Sequence, residues 1–158
     1  MIFFFAWLEG TSVAVAVAES SWIFPTLEVL HVLGLALVVG SIAAFDLRTL
    51  GLAWPTRRLQ TLVHEILPWT WSGFALALVT GLLLFSSSAT LYAENGVFLA
   101  KMALMLLAGL NVLFFHLHPD HRRLAAEGHV SLTLRASATV SLILWTGIVV
   151  LGRWIGFV

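Results

Sequence analysis

The chain has 158 residues, of which 60% are hydrophobic and 10% charged, and its formal net charge is zero. With a mean hydropathy of +1.01, it has too little polar surface for a domain that folds in water, which favours a protein of the lipid bilayer. The absence of cysteine excludes disulfides, thiolate metal sites and thiol catalysis. The basic residues form no clustered stripe, which excludes a nucleic-acid partner.

The N-terminal stretch MIFFFAWLEGTSVAVAVA is apolar but contains Glu9 and Gly10 near its middle. It has no basic residue before its hydrophobic run, so it is not typical of a signal peptide. Its aromatic residues cluster ahead of Glu9, a pattern that favours a helix lying in the membrane interface over residues 1–20. A fifth membrane span is the alternative for this stretch.

Four later segments each supply the roughly 20 mostly apolar residues that cross a bilayer. We place these spans at about 26–45, 66–86, 97–117 and 132–157. The connections between them are short, which favours antiparallel neighbours in sequence order. The predicted fold is therefore all-α, a single integral membrane domain built as a four-helix up-down bundle with the N-terminal interfacial helix beside it.

The arginines predict the orientation of the spans. Arg48, Arg57 and Arg58 lie in or near the first connection, and Arg122 and Arg123 lie in the third. The second connection, SSSATLYAEN, has no basic residue. By the positive-inside rule the first and third connections are cytoplasmic, and both chain termini lie on the outer side.

Small residues recur along each span at near-helical spacing, a pattern that lets helix backbones approach closely. They are Gly34, Gly40, Ser41 and Ala44 in the first span, Gly73, Ala77 and Gly81 in the second, Ala108 and Gly109 in the third, and Ser137, Ser141 and Gly147 in the fourth. Asn111, Thr80 and Thr146 also lie within spans, and we assign them to interhelical packing.

Two ionisable residues lie well inside spans, and such residues are functional hypotheses by default. His31 lies six residues after Pro25, and Lys101 lies six residues after Asn95. At a rise of 1.5 Å per residue, each is roughly 9 Å inside the membrane from the outer side. Glu28 precedes His31 by one helical turn and could orient its ring. The alternatives are a histidine hydrogen-bonded across the bundle to a threonine or a carbonyl, and a lysine that snorkels to the headgroups.

A second set of polar residues lies toward the inner side. His64 is predicted to precede the second span, and His116 to close the third, so the two could form a second bis-imidazole position or a copper relay with His118 and His121. Loop histidines usually titrate in solvent, which is the alternative for His118, His121 and His129. Asp46 and Arg48 are predicted to cap the first span.

Four stretches resemble an uncharacterised family of small bacterial inner-membrane proteins. They are EVLHVLGLALVVG from Glu28, DLRTLG from Asp46, PWTWSGFALALVTGLLLF from Pro68 and KMALMLLAGLNVLFFH from Lys101. More distantly, a histidine early in the first span, Thr-Gly late in the second and a lysine opening the third are similar to the pattern of CopD-type copper-resistance domains and HemJ-type protoporphyrinogen oxidases.

The HemJ-like resemblance implies a b-type haem held near His31 and Lys101, and the CopD-like one implies copper handled at the outer face. The chain departs from both, because it lacks methionine-rich segments and adds Glu28 and the inner histidines. We expect a bacterial inner-membrane protein with periplasmic termini.

Three functions follow as expectations. The first is a membrane b-type haem protein in electron transfer or small-molecule oxidoreduction, with one haem at His31 and Lys101, or two haems if His64 and His116 hold a second. Its partners would be the lipid bilayer, a quinone or a periplasmic redox protein, and a second copy or a larger membrane complex. The alternatives are a copper-handling membrane protein and a non-catalytic accessory subunit.

Overall fold

The computed structural model describes residues 2–120 and 130–157, and this part of the chain folds into helices and turns without a strand. The helices are α1 (Ile2–Glu9), α2 (Ser12–Glu19), α3 (Ile23–Leu50), α4 (Leu59–Ser86), α5 (Ala89–Glu94), α6 (Gly96–Leu117) and α7 (Leu132–Trp154), followed by a 3₁₀ turn at Ile155–Phe157. The predicted all-α four-helix bundle is confirmed. Arg122, Arg123, His121 and His129, which entered the predictions, lie outside the described residues.

Four helices are long and apolar enough to cross a membrane, namely α3, α4, α6 and α7 with its 3₁₀ extension. Two of them are longer than predicted. α3 continues to Leu50 and ends at Gly51, whose φ of +80° is accessible to glycine without strain. α4 begins at Leu59 rather than near 66, and Pro68 lies inside the helix, at the cost of the hydrogen bond its nitrogen cannot donate.

The N-terminal stretch forms two short helices rather than one. α1 and α2 have eight residues each, and a helix of that length spans only about 12 Å, far less than a bilayer core. Thr11 accepts a hydrogen bond from the Ala14 amide and so caps α2. α1 packs on α5, where Glu9 accepts a bond from the Thr90 amide at 2.7 Å, and α2 packs on α3 and α4. The structure therefore has no fifth span among the described residues.

The backbones of α3 and α4 approach each other closely at two glycines. A Cβ on Gly34 would lie 2.8 Å from the Ala77 nitrogen, and a Cβ on Gly73 would lie 2.8 Å from the Gly34 carbonyl oxygen. Further along the same interface the hydroxyls of Ser41 and Thr70 are hydrogen-bonded at 2.8 Å. Residues later in α3 contact residues earlier in α4, so the two helices are antiparallel.

α7 packs closely on both α6 and α3. Asn111 on α6 donates to the Ser137 carbonyl and accepts from the Ser137 hydroxyl, both at 3.0 Å, so one residue pair makes two interhelical bonds. Gly147 on α7 faces Leu104 on α6. The prediction that the spans are neighbours in sequence order is wrong for α4 and α6, which are consecutive but not closely packed, because α7 packs between α3 and α6; the spatial order of the spans is α4, α3, α7, α6.

The bundle has two distinct ends. α3 and α6 begin, and α4 and α7 finish, at the end that carries α5, which we call the α5 end. The opposite end carries the connection 51–58, where Arg57 and Glu65 form an exposed ion pair at 2.8 Å, and we call it the Arg57 end. Asp46 lies near the Arg57 end but is only 4% exposed. The prediction that it caps the first span is wrong, because α3 continues past it and its side chain faces the protein interior.

Candidate ligand site at His31

The imidazole of His31 lies directly against the backbone of α4. A Cβ built on Gly81 would lie 2.9 Å from Cε1 of His31 and 3.3 Å from Nδ1, a separation that real side chains do not tolerate. The ring is therefore accommodated because residue 81 is a glycine. Nε2 of His31 lies 3.9 Å from the same Cβ position, farther than the other two ring atoms. It is therefore the ring nitrogen that is turned away from Gly81.

Two acceptors on α4 orient the ring. Nδ1 of His31 lies 2.9 Å from the Ala77 carbonyl oxygen and 3.1 Å from the Thr80 hydroxyl oxygen. A carbonyl oxygen only accepts, so Nδ1 carries the proton and donates it. The Thr80 hydroxyl can donate to the Leu76 carbonyl at 2.6 Å, which leaves its oxygen free to accept from His31. In the neutral ring the lone pair is then on Nε2, which makes no hydrogen bond within the described residues.

The expected hydrogen bonds of His31 across the bundle are confirmed, whereas a ligand on His31 stays a prediction. The hydrogen bonds to a threonine and a carbonyl across the bundle are those expected of a histidine without a ligand. They are equally the bonds that fix a metal-binding histidine, which typically donates its other ring N–H to a carbonyl or carboxylate. Thr80, which sequence reasoning assigned to packing, is therefore a residue of this site; its signal was the Thr-Gly pair late in the second span.

Lys101 is half-buried on α6 at the same end of the bundle. Its Nζ lies 5.0 Å from the centre of the Phe98 ring and makes neither a hydrogen bond nor an ion pair in residues 2–120 and 130–157. A Cβ on Gly152 would lie 3.8 Å from Cδ of Lys101, so the lysine stem runs along α7. The charge of Lys101 acts on the His31 ring, which places both groups in one electrostatic environment.

An aromatic cluster fills the space between α4 and α6 at the α5 end. Phe85 stacks on Phe98 with ring centres 5.6 Å apart and on Tyr92 at 6.2 Å, while Phe5 meets Phe85 edge-on at 6.0 Å. These four rings, the aromatic cluster below, hold α1, α4, α5 and α6 together. Phe98 belongs to the cluster and also carries the Lys101 ammonium on its face, so the cluster is in direct contact with the lysine.

Glu28 is exposed on α3, and it does not orient His31, since the bonds to Nδ1 come from Ala77 and Thr80. It acts instead on Tyr92 in α5. Burial raises the pKa of the Tyr92 phenol, and the negative charge of Glu28 raises it further. Tyr92 is therefore a neutral hydrogen-bonding phenol across the physiological range.

The inner histidines occupy more open positions. His64 lies within α4 rather than before it and is exposed, and His116 is exposed on α6 with its Nδ1 2.8 Å from the Val112 carbonyl. Nδ1 of His118 lies 3.7 Å from the Asp120 carboxylate. Within the described ranges no group of three or more histidine, aspartate or glutamate side chains could hold a metal ion. A second haem or a copper relay at these residues stays a prediction.

An open apolar groove of about 370 Å³ lies between α2, α3 and α4. Leu27, one helical turn from His31, and Leu83, three residues beyond Thr80, line the groove, but His31 itself does not. Small-molecule sites typically enclose most of their ligand, so the volume of this open groove does not by itself make it such a site.

Together these features define an integral membrane four-helix bundle with a histidine fixed against a glycine at one end. Residues 4–158 match a family of unknown function, DUF6644, so the chain belongs to this family over almost its whole length. A search of the curated proteins found no match. A search of the solved structures found none either.

Proposed function

We propose that this chain is a b-type haem protein that works in membrane electron transfer or small-molecule oxidoreduction, with His31 as an axial ligand of the iron. The observation that carries the proposal is the tautomer of His31. Donation from Nδ1 to Ala77 and Thr80 leaves the Nε2 lone pair available, turned away from Gly81. A hydrogen bond donated by the ring nitrogen that does not bind the metal typically orients a metal-binding histidine and raises its basicity.

Lys101 is the proposed second ligand or the partner of a haem propionate. A half-buried amine without a hydrogen-bond acceptor is costly in a bilayer. A haem iron or a propionate would supply the partner that Lys101 lacks among the described residues. A bound haem supplies one-electron redox chemistry, whose potential depends on the axial ligands and on burial. As a propionate partner Lys101 would be positively charged and would favour the reduced state, whereas as an iron ligand it would bind through its neutral amine.

The proposed setting is the bacterial inner membrane with the α5 end facing the periplasm. The connection 51–58 at the Arg57 end carries two arginines, whereas residues 87–95 at the α5 end carry no lysine or arginine. The positive-inside rule therefore supports this orientation. A quinone from the bilayer or a periplasmic redox protein would then exchange electrons at the α5 end. A second copy or a larger membrane complex would cover the exposed apolar faces of the spans.

Copper handling is the alternative proposal, with Glu28 and His31 as outer stations. A haem needs only one or two axial ligands from the protein, whereas a copper site normally needs a cluster of ligands. The described residues contain no such cluster, and His121 and His129 lie outside them. An accessory role, without any cofactor, is the remaining alternative.

Metal and haem analysis of the detergent-purified protein separates these proposals. We expect iron and extractable haem b in proportion to the chain, with sharp α and Soret bands after reduction by dithionite. Copper in place of iron would favour the copper proposal. A colourless protein free of both metals would contradict both and leave the accessory role.

A further inference from the structure

Asp46 is a buried carboxyl group in the half of the bundle away from His31. Its side chain is only 4% exposed, and it packs where α3 meets α7. The Ser141 hydroxyl donates a hydrogen bond to the carboxyl group. The other oxygen, Oδ2, is buried and has no hydrogen-bond partner. Trp145 lies one turn along α7 from Ser141, and its buried indole N–H also has no hydrogen-bond partner.

No positive charge compensates Asp46 in the part of the chain that the structure describes. The charged and titratable side chains toward this end are Arg48 on α3 itself, Arg57 and Arg58 in the connection 51–58, His64 and Glu65 on α4, His116, His118 and Asp120 at the end of α6, and Arg135 on α7, whereas α2 carries Glu19 at the far end. Arg48 donates to the Arg57 carbonyl instead, Arg57 pairs with Glu65 and His118 with Asp120, and Arg58, His64, His116 and Arg135 are exposed. None of them forms an ion pair with Asp46.

An ionised carboxylate is poorly tolerated in such surroundings. Removing its charge from water is costly, and one hydrogen bond from a serine does not replace a counter-ion. A neutral carboxylic acid avoids that cost, because its hydroxyl and its carbonyl oxygen need only ordinary hydrogen bonds. The geometry therefore favours a carboxyl group that holds its proton and is supported by Ser141.

We propose that Asp46 is a proton-binding site inside the bundle that exchanges with water at the Arg57 end. The exchange step breaks the carboxyl O–H bond, transfers the proton to water as hydronium, and leaves a carboxylate; uptake is the reverse. Asp46 is about one helical turn from Leu50, the last residue of α3, which is roughly 6 Å from the end of the helix. This site is independent of the haem proposal, since it lies in the other half of the bundle.

Infrared spectroscopy of the full-length protein with ¹³C in the aspartate carboxyl groups tests this proposal. The chain has only two aspartates, Asp46 and Asp120, so a label-sensitive band belongs to one of them. At neutral pH we expect a carboxylic acid C=O band that shifts with the label and is lost in Asp46→Asn. Asp120→Asn, the matched control, retains the band. Ser141→Ala moves it to higher frequency, because the C=O loses a hydrogen bond.

Transfer to D₂O tests exchange separately, and the expected shift of the C=O band shows that the proton reaches water. A label-sensitive carboxylate band alone, or an acid band that does not move in D₂O, would overturn the proposal. Conversion of the acid to a carboxylate by sodium at constant pH would also overturn it, in favour of a cation site. If Asp46→Asn does not fold, the labelled wild-type chain and Asp120→Asn still assign the band.

Discussion

His31 depends on Thr80 for one of its two orienting acceptors. Thr80→Val keeps the shape of the side chain but removes the oxygen that lies 3.1 Å from Nδ1. Loss of a hydrogen bond that orients a metal-binding histidine typically lowers metal affinity about 10–100-fold. We expect a loss of haem affinity in this range. Haem titration of the purified variant measures it.

Thr146→Val is the matched control for Thr80→Val. Thr146 also precedes a glycine, but its hydroxyl bonds only to the Leu142 carbonyl of its own helix. We expect it to bind haem as the wild type does. Equal losses in the two variants would show that Thr80 has no specific role at His31.

Gly81 provides the space that the His31 ring occupies. Gly81→Ala would place a Cβ 2.9 Å from Cε1 of His31, so the ring must move away from α4 and its bond to Ala77 must lengthen. We expect lower haem occupancy and a shifted Soret band with unchanged helix content. Gly40→Ala, where a Cβ meets nothing within 4 Å, is the control and should change neither.

Tyr92 reports on Glu28 through its ionisation. Burial and the charge of Glu28 raise its pKa above the ordinary value of about 10, so the folded state holds the phenol proton more tightly than the unfolded state does. This contribution to stability is therefore complete below about pH 10 and is lost as the pH rises through the folded pKa. Since Tyr92 is the only tyrosine, an ultraviolet titration follows it directly.

Glu28→Gln removes one of the two causes and should lower the titration midpoint of Tyr92. The midpoint should remain above the ordinary value, because burial persists. Glu19→Gln, an exposed carboxylate on α2, is the control and should leave the midpoint unchanged. An unchanged midpoint in Glu28→Gln would contradict the electrostatic contact between α3 and α5.

At the scale of helices, the α3 and α4 pair depends on backbone contact at its glycines. Gly34→Ala would place a Cβ 2.8 Å from the Ala77 nitrogen, and backbone cannot yield as a flexible side chain does. We expect a loss of about 1–3 kcal/mol, the usual cost of overpacking, as a lower unfolding midpoint in detergent. Gly109→Ala has open space around its Cβ and should unfold like the wild type.

Hydrophobic length predicted the four spans well, whereas their ends depended on details that length does not contain. The apolar pattern places the second span from about residue 66, yet α4 begins at Leu59 and runs through Pro68, which membrane helices tolerate because neighbouring groups satisfy the freed backbone carbonyl. The N-terminal stretch reads as one helix, but Gly10 and the Thr11 cap divide it. Composition also could not show that Gly40 and Gly109 face open space while Gly34 and Gly73 make contact.

At the scale of the whole molecule, the natural absence of cysteine makes the proposed orientation directly testable. Thr56→Cys lies in the connection at the Arg57 end, and Glu94→Cys lies on α5, and both positions are exposed. We expect a membrane-impermeant maleimide to label Glu94→Cys in intact spheroplasts and Thr56→Cys only after permeabilisation. The reverse pattern would contradict periplasmic placement of the α5 end.

The candidate site was only partly predictable from the sequence. Depth along the spans identified His31 and Lys101, since an ionisable residue inside an apolar helix is visible in any sequence. Which face each helix buries is decided by packing, so the contact of His31 with Thr80 and Gly81 required the structure. Asp46 was missed for the same reason, because its burial follows from where α7 packs.

The central claim is that His31 binds a haem iron through Nε2, and a reduced-minus-oxidised absorption spectrum of His31→Ala tests it most directly. The wild type and His64→Ala, which removes an exposed imidazole on the neighbouring helix, are measured beside it. We predict α and Soret bands in the wild type and in His64→Ala, and, for a single haem, their loss in a folded His31→Ala; a second haem at His64 and His116 would leave part of the bands in His31→Ala. Bands of full intensity in His31→Ala, or their absence from the wild type, would contradict the claim.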